Sequence, residues 1–272
     1  FIIFSYHLIL PRIEVAMAQS TPKYHGVNIE RIKQSYEKLS GNILPTPTIF
    51  APSLSKLFGT SIYLKLENLQ FTSSFKSRGA LIALQSLNNE EKKNGVITMS
   101  AGNHAQALAF RSQQENIRST IVMPEQTPFT KISKTKSYGA EIILTGRTLD
   151  EAKSKVDQLI DEHGLHLIHP FDDPNIIAGQ GTIGLEIMDT VPDLDYLIIP
   201  IGGGGLISGI SIAAKSINSK LKIIGVESEL YPSMTRSLAG LPPQSGGDTL
   251  AEGIAVKTAG VITKPIIENL VD

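Results

Sequence analysis

Gly95-Val96-Ile97-Thr98-Met99-Ser100-Ala101-Gly102-Asn103-His104 decides the fold. Residues 96–99 are short, apolar in character and rich in β-branched side chains, as a buried strand requires. Ser100, Ala101 and Gly102 form a tight connection, and Asn103 opens a helical apolar spacing that runs to residue 114. The same alternation then repeats: strand 119–123, helix 130–138, strand 140–144, helix 149–163 and strand 166–169. Short Ile- and Val-rich runs separated by amphipathic helices predict parallel βαβ units.

A second series lies downstream, with helices at 176–188, 206–216 and 232–238 and strands at 196–201 and 222–226. Upstream, residues 27–40 read as an amphipathic helix. The Pro45-Thr46-Pro47 entry is extended, a short helix at 53–59 closes on Gly59, and residues 61–66 form a strand. A further helix is expected from the lysine stretch at 74–80 through Leu87. No fixed-period repeat or low-complexity segment interrupts the chain. The predicted class is α/β with two parallel sheets. The expected division is a larger domain from 17–92 and 171–272 and a smaller one at 93–170.

The chain of 272 residues is long enough for such a two-part core, and 41% apolar with 19% charged residues is ordinary for a globular protein. With 25 basic and 26 acidic side chains it has neither the basic face that nucleic acid requires nor one suited to an anionic membrane. The absence of cysteine excludes disulfides, zinc–thiolate sites and thiol nucleophiles. Residues 1–10 are apolar but too short to span a bilayer. They lack a charged leading segment, Arg12 and Glu14 break the apolar character soon after, and Ala16-Met17-Ala18 only mimics a cleavage site. The expectation is that Met17 is the natural start and that residues 1–16 are an upstream extension.

Three loops carry chemistry. In Ser74-Phe75-Lys76-Ser77-Arg78-Gly79-Ala80 a lysine lies between an aromatic ring and small residues. Such surroundings suit an amine that must be desolvated, lose its proton and attack a carbonyl. The second loop, Ser100 to His104, places backbone N–H groups at a helix start, at the carboxyl end of a strand, where a carboxylate would be received. Ser, Gly and Asn also serve turns and caps, and a histidine such as His104 is commonly a satisfied polar side chain. The third is Gly202-Gly203-Gly204-Gly205, between a strand and a helix. Four glycines cost chain entropy, and what they allow is a close wrap of backbone amides around an anion, phosphate above all.

The phosphate has two readings. Gly203, Gly205 and Ser208 half match a dinucleotide fingerprint, and Glu227 ends the next strand, where a ribose-binding acid belongs. A nicotinamide-dependent dehydrogenase, however, leaves the lysine and the Asn103 loop unexplained. Pyridoxal 5′-phosphate, with its aldehyde, phenolic oxygen and monophosphate, uses all three.

Together the three motifs resemble the fold-type II pyridoxal-phosphate enzymes, above all the threonine dehydratase (threonine ammonia-lyase) and serine racemase family. The resemblance runs from about Gly26 to Asp272. It implies two three-layer α/β domains of the tryptophan-synthase-β-like kind. It further implies an internal aldimine on Lys76, Phe75 beside the cofactor ring, Asn103 on the phenolic oxygen, and Gly202, Gly203, Gly204 and Gly205 on the phosphate. Substrate carboxylate is implied on the amides of Ser100, Ala101, Gly102 and His104. The implied reaction is deamination of L-threonine, and of L-serine, by β-elimination of water in a cytoplasmic homo-oligomer acting on a small amino acid.

Racemases similar to this pattern carry a serine where Ala101 stands, whose hydroxyl protonates the carbanion opposite the lysine. Alanine has no proton to give, which favours elimination. Two departures stand out. Related enzymes place a divalent cation near a Glu and an Asp; Glu227 fits the first position but Ser233 occupies the second, and no metal ligand is assigned. The family pattern also continues beyond Asp272, so the sequence reads as a fragment or as the product of a broken gene. An inactive remnant and a racemase are the alternatives within that resemblance.

Overall fold

The computed structural model describes residues 2–5, 24–147 and 149–272. The expectation about residues 1–16 and the start at Met17 lies outside these, except for residues 2–5. In chain order the elements are β1 (Ile2–Ser5), α1 (Ile29–Leu39), β2 (Thr48–Phe50), α2 (Pro52–Phe58), β3 (Ser61–Lys65), α3 (Lys76–Gln85) and α4 (Asn89–Asn94). Next come β4 (Val96–Met99), α5 (Asn103–Gln114), β5 (Ser119–Met123), α6 (Phe129–Lys136), β6 (Glu141–Leu144), α7 (Leu149–His163) and β7 (His166–Leu167). The last are α8 (Pro174–Thr190), β8 (Tyr196–Pro200), α9 (Gly205–Ile217), β9 (Lys222–Val226), α10 (Ser233–Leu238) and α11 (Thr263–Leu270).

Contacts divide the chain into two units, one of residues 1–34, 45–66 and 181–272, the other of 35–44 and 67–180. The second unit carries a sheet in the order β6-β5-β4-β7, parallel throughout. Its two central strands, β4 and β5, are buried on both faces. Val96, Ile121 and Met123 point to one side, into a core with Ala83 and Leu84 of α3 and Ala105 and Leu108 of α5. Their neighbours Ile97 and Val122 point to the other, against Ala152, Val156 and Leu159 of α7. That is the expected three-layer arrangement, and the apolar runs lack polar alternation because helices cover both faces.

The first unit carries a sheet in the order β2-β3-β1-β8-β9. Here the expectation of a parallel sheet needs correction. Only β8 and β9 pair in parallel; β1 lies antiparallel to both β3 and β8, and β2 antiparallel to β3. The β2–β3 link is a short helix, not a crossover of the length that parallel strands need.

Local signals placed most boundaries. Gly59 ends α2 in the left-handed region at φ 67°, its N–H donating to the Ser55 carbonyl. The helix expected through Leu87 ends at Gln85, because Asn88 and Glu91 form a reciprocal capping box that starts α4. Among the described residues no helix is long and apolar enough to cross a membrane.

Candidate active site

Lys76, Asn103 and His104 belong to one unit and the four glycines to the other. Lys76 is the first residue of α3, and the chain reaches it through Thr72 and Ser73, both at positive φ (61° and 56°). A β-branched threonine in the left-handed region is strained, and such strain gathers where a side chain must be aimed. The lysine amine donates to the Pro170 carbonyl at 2.6 Å and lies 5.5 Å from the centre of the Phe75 ring. Burial pushes its pKa down to about 8. No carboxylate among the described residues holds it, so the neutral amine is within reach near physiological pH.

The residues after Lys76 anchor it. Arg78 is fully buried and grips Glu67 with two bonds, Nε to Oε2 at 2.9 Å and Nη2 to Oε1 at 2.8 Å. Ser77 Oγ accepts from Arg111 Nε at 2.7 Å, whose guanidinium stacks on Phe71 and Phe110. At Gly79 a Cβ would lie 2.8 Å from the Ile176 carbonyl, and one at Gly179 would lie 2.6 Å from the Gly79 Cα. The two helix backbones therefore touch, which only glycine permits. The start of α3 is fixed by an ion pair and by close packing.

The Ser100–His104 loop leaves β4 and enters α5 through Gly102. Ser100 Oγ accepts from the Gly102 N–H at 3.3 Å, and Asn103 is exposed on the first turn. N–H groups of a first helical turn have no partner within the helix and can receive an anion. His104 turns inward, 3% exposed, its Nε2 3.2 Å from the Ile168 carbonyl. A carbonyl only accepts, so that nitrogen carries the proton, and the buried Nδ1 has no partner among the described residues. Burial, then Lys76, pushes the His104 pKa down to about 3. The ring is therefore neutral, and its backbone N–H is the part left for a ligand.

In the other unit Gly202 to Gly205 lead from β8 into α9. Gly204 has φ 97°, and a Cβ there would lie 2.7 Å from Thr263 Oγ1. A Cβ on Gly202 would meet Val256 Cγ2 at 3.0 Å and Ile254 Cα at 3.2 Å. Two of the four glycines are thus needed for packing. The Thr263 hydroxyl donates to the Gly203 carbonyl at 2.7 Å, fixing the loop against α11. Glu227 accepts from Met234 N, Thr235 N and Thr235 Oγ1, so its carboxylate caps α10. Within its own unit the lysine with a depressed pKa suits an aldehyde, and the helix start lined by Ser, Gly and Asn suits an anionic group; in the other unit the glycine loop at a helix N-terminus suits a phosphate.

Glu67, His169, Pro170 and Thr263 carry no mark in the sequence that singles them out. The last two act through a backbone carbonyl and a single hydroxyl, for which no residue pattern stands. Arg78 beside Lys76 was the one signal that could have pointed to a buried acid.

Residues 39–272 match the family model described as "Pyridoxal-phosphate dependent enzyme". The L-threonine ammonia-lyase of Thermotoga maritima is 46% identical over 248 residues, covering 90% of this chain and 62% of that protein. The catabolic L-threonine dehydratase of Staphylococcus aureus is 42% identical over 251 residues, covering 91% and 72%. Among solved structures, serine racemase from Dictyostelium discoideum superposes with a TM-score of 0.84 at 41% identity, over 90% of this chain and 80% of that one. The chain spans about three fifths of the length of the first two curated relatives it matches (62% and 60%).

Proposed function

The chain belongs to the pyridoxal-phosphate-dependent enzyme family, and from that premise we propose that it serves in the deamination of L-threonine, and of L-serine, by elimination of water. The products are 2-oxobutyrate or pyruvate, with ammonium. The observation that carries the reading is the Lys76 amine, held by a neutral carbonyl and with its pKa pushed down to about 8. When bound, the cofactor supplies a conjugated electron sink for charge on the substrate Cα.

In this reading Lys76 would hold the cofactor, and its free Nζ would accept the substrate Cα proton. Phe75 would pack beside the cofactor and Asn103 would donate a hydrogen bond to it. Backbone N–H groups of Gly202, Gly203, Gly204 and Gly205 take the phosphate, helped by the positive end of α9. The Ser100, Ala101, Gly102 and His104 amides take the substrate carboxylate. Ala101 offers only a methyl group, so this chain has no second proton donor at that position. That distinguishes elimination from racemisation, which overall likeness to both kinds of relative does not do. The nicotinamide reading of the glycine loop gives way to the family match. Action as a cytoplasmic homo-oligomer is part of the proposal and is tested by light scattering and by fractionation.

The direct test is borohydride reduction of the cofactor-loaded chain, peptide mapping, and an assay for 2-oxo acid from L-threonine. The expected result is a reduced adduct on Lys76 and product formation that Lys76→Ala abolishes. Turnover near that of the parent in Lys76→Ala would exclude the assignment. D-serine formed from L-serine without 2-oxo acid would favour the racemase reading.

A further inference from the structure

His169, Pro170, Phe171 and Asp172 form the turn between β7 and α8. His169 Nδ1 accepts the Asp172 N–H at 2.8 Å and the Phe171 N–H at 3.3 Å. A side-chain acceptor that takes the N–H groups two and three residues ahead is the device by which Asn and Asp build an Asx turn. Here an imidazole performs it, and the role requires an unprotonated Nδ1 with the ring proton on Nε2. The Phe171 ring stands edge-on to the imidazole, centroids 4.6 Å apart at 87°. Asp173 Oδ1 then accepts from Asn175 N and Ile176 N and opens α8. Inside the turn sits Pro170, whose ring fixes φ and which has no N–H to compete for the acceptor. Its carbonyl is the one that receives the Lys76 amine at 2.6 Å.

We propose that His169 is a positioning residue for Lys76, folding the turn that presents the Pro170 carbonyl to the lysine amine. The inference rests on the reading of Lys76 as the cofactor lysine and adds what aims it. A carbonyl suits the task because it directs the amine without the full negative charge that would hold the proton on. The titratable groups that face His169 are Lys76, His104, Asp172 and Asp173. Burial is the largest influence and, with Lys76, favours the neutral ring, while the two aspartates oppose them. A protonated ring would set an N–H against two N–H groups, and the turn would open.

The test is acetylation of Lys76 in the full chain without added cofactor, followed against pH by peptide mass spectrometry, in the parent and in His169→Leu, His169→Gln and His169→Asn. In the parent the lysine titrates near 8. In His169→Leu the released amine reaches solvent and titrates closer to an ordinary lysine. A rise of the titration midpoint by one unit lowers labelling at pH 8 about fivefold. His169→Gln, whose longer chain cannot receive both amides, gives the same loss and serves if the leucine variant does not fold. His169→Asn rebuilds the turn and restores the parent profile. An unchanged Lys76 titration in a folded Leu or Gln variant overturns the proposal, as does a folded Asn variant that fails to restore it. Labelling reads the positioning with no cofactor present, whereas borohydride mapping reads the cofactor assignment, so failure of one is distinguishable from failure of the other.

Discussion

The Thr263 hydroxyl and the Gly203 carbonyl meet at 2.7 Å, tying the second glycine of the loop to the first turn of α11. The bond engages the loop through a carbonyl and leaves its N–H groups available. Thr263 is fully buried, so a hydroxyl lost there is not replaced by water. Thr263→Val keeps the shape and removes the donor. The expected cost is about 1 kcal/mol of stability, together with a severalfold rise in the pyridoxal phosphate concentration needed for half-saturation. Spectral titration with the cofactor measures the second effect; unchanged affinity would show that α11 does not set the loop.

Gly204→Ala tests the loop differently. Its φ of 97° disfavours any side chain, and the new methyl would overlap Thr263 and Ile267. Strain and overpacking together predict a loss of about 2 to 4 kcal/mol in urea denaturation. Gly203→Asp, by contrast, sets a carboxylate toward the proposed phosphate position and should weaken cofactor retention more than it weakens the fold. A pair of variants separated in this way distinguishes the packing glycine from the binding one.

Arg78 and Glu67 form a bidentate pair with side-chain exposures of 0% and 5%. Glu67→Gln removes the charge that neutralises a guanidinium unable to lose its proton. The expected destabilisation is about 3 to 5 kcal/mol, read by chemical denaturation. The double variant Glu67→Met with Arg78→Met should recover much of that loss, since no uncompensated charge is left buried. If the double variant were as unstable as Glu67→Gln, packing and not charge would be what the pair provides.

The parallel half of the fold was legible because strands 96–99 and 119–123 are covered on both faces, which writes an unbroken apolar run into the sequence. The mixed sheet was not, since strand direction in β3 depends on which neighbours it meets, and nothing in residues 61–65 encodes that. The site divides in the same way. The roles proposed for Lys76, Asn103 and the four glycines rest on their own side chains or on the lack of one, so residue type alone singles them out. Pro170 contributes a carbonyl that every residue possesses, and His169 acts on the backbone beside it. Such roles are visible only once the turn has been folded. Glu227 shows the reverse: its position invited a cation or a ribose, and the role visible once the chain is folded is that of an acceptor for three protein donors at the start of α10.

Lys76 makes a pH-dependent contribution to stability. Its folded pKa, about 8, lies below the unfolded value of about 10.5. Between those values the unfolded chain binds the proton more tightly, so stability rises with pH across that window. Above it the amine is neutral in both states and no penalty remains; below pH 8 the penalty is constant and complete. Lys76→Met removes the titrating group and fills similar space. It should therefore be more stable than the parent at pH 7, by roughly 1 to 2 kcal/mol after allowance for solvent screening of a partly exposed side chain. Near pH 10.5 the difference should shrink toward zero. Denaturation midpoints of both proteins at the two pH values, without cofactor, measure this. A gain at pH 7 coupled with complete loss of turnover would mark the lysine as kept at a cost to the fold. Equal midpoints at both pH values would mean that the amine is solvated, and that a neutral Lys76 near pH 8 is not what this site provides.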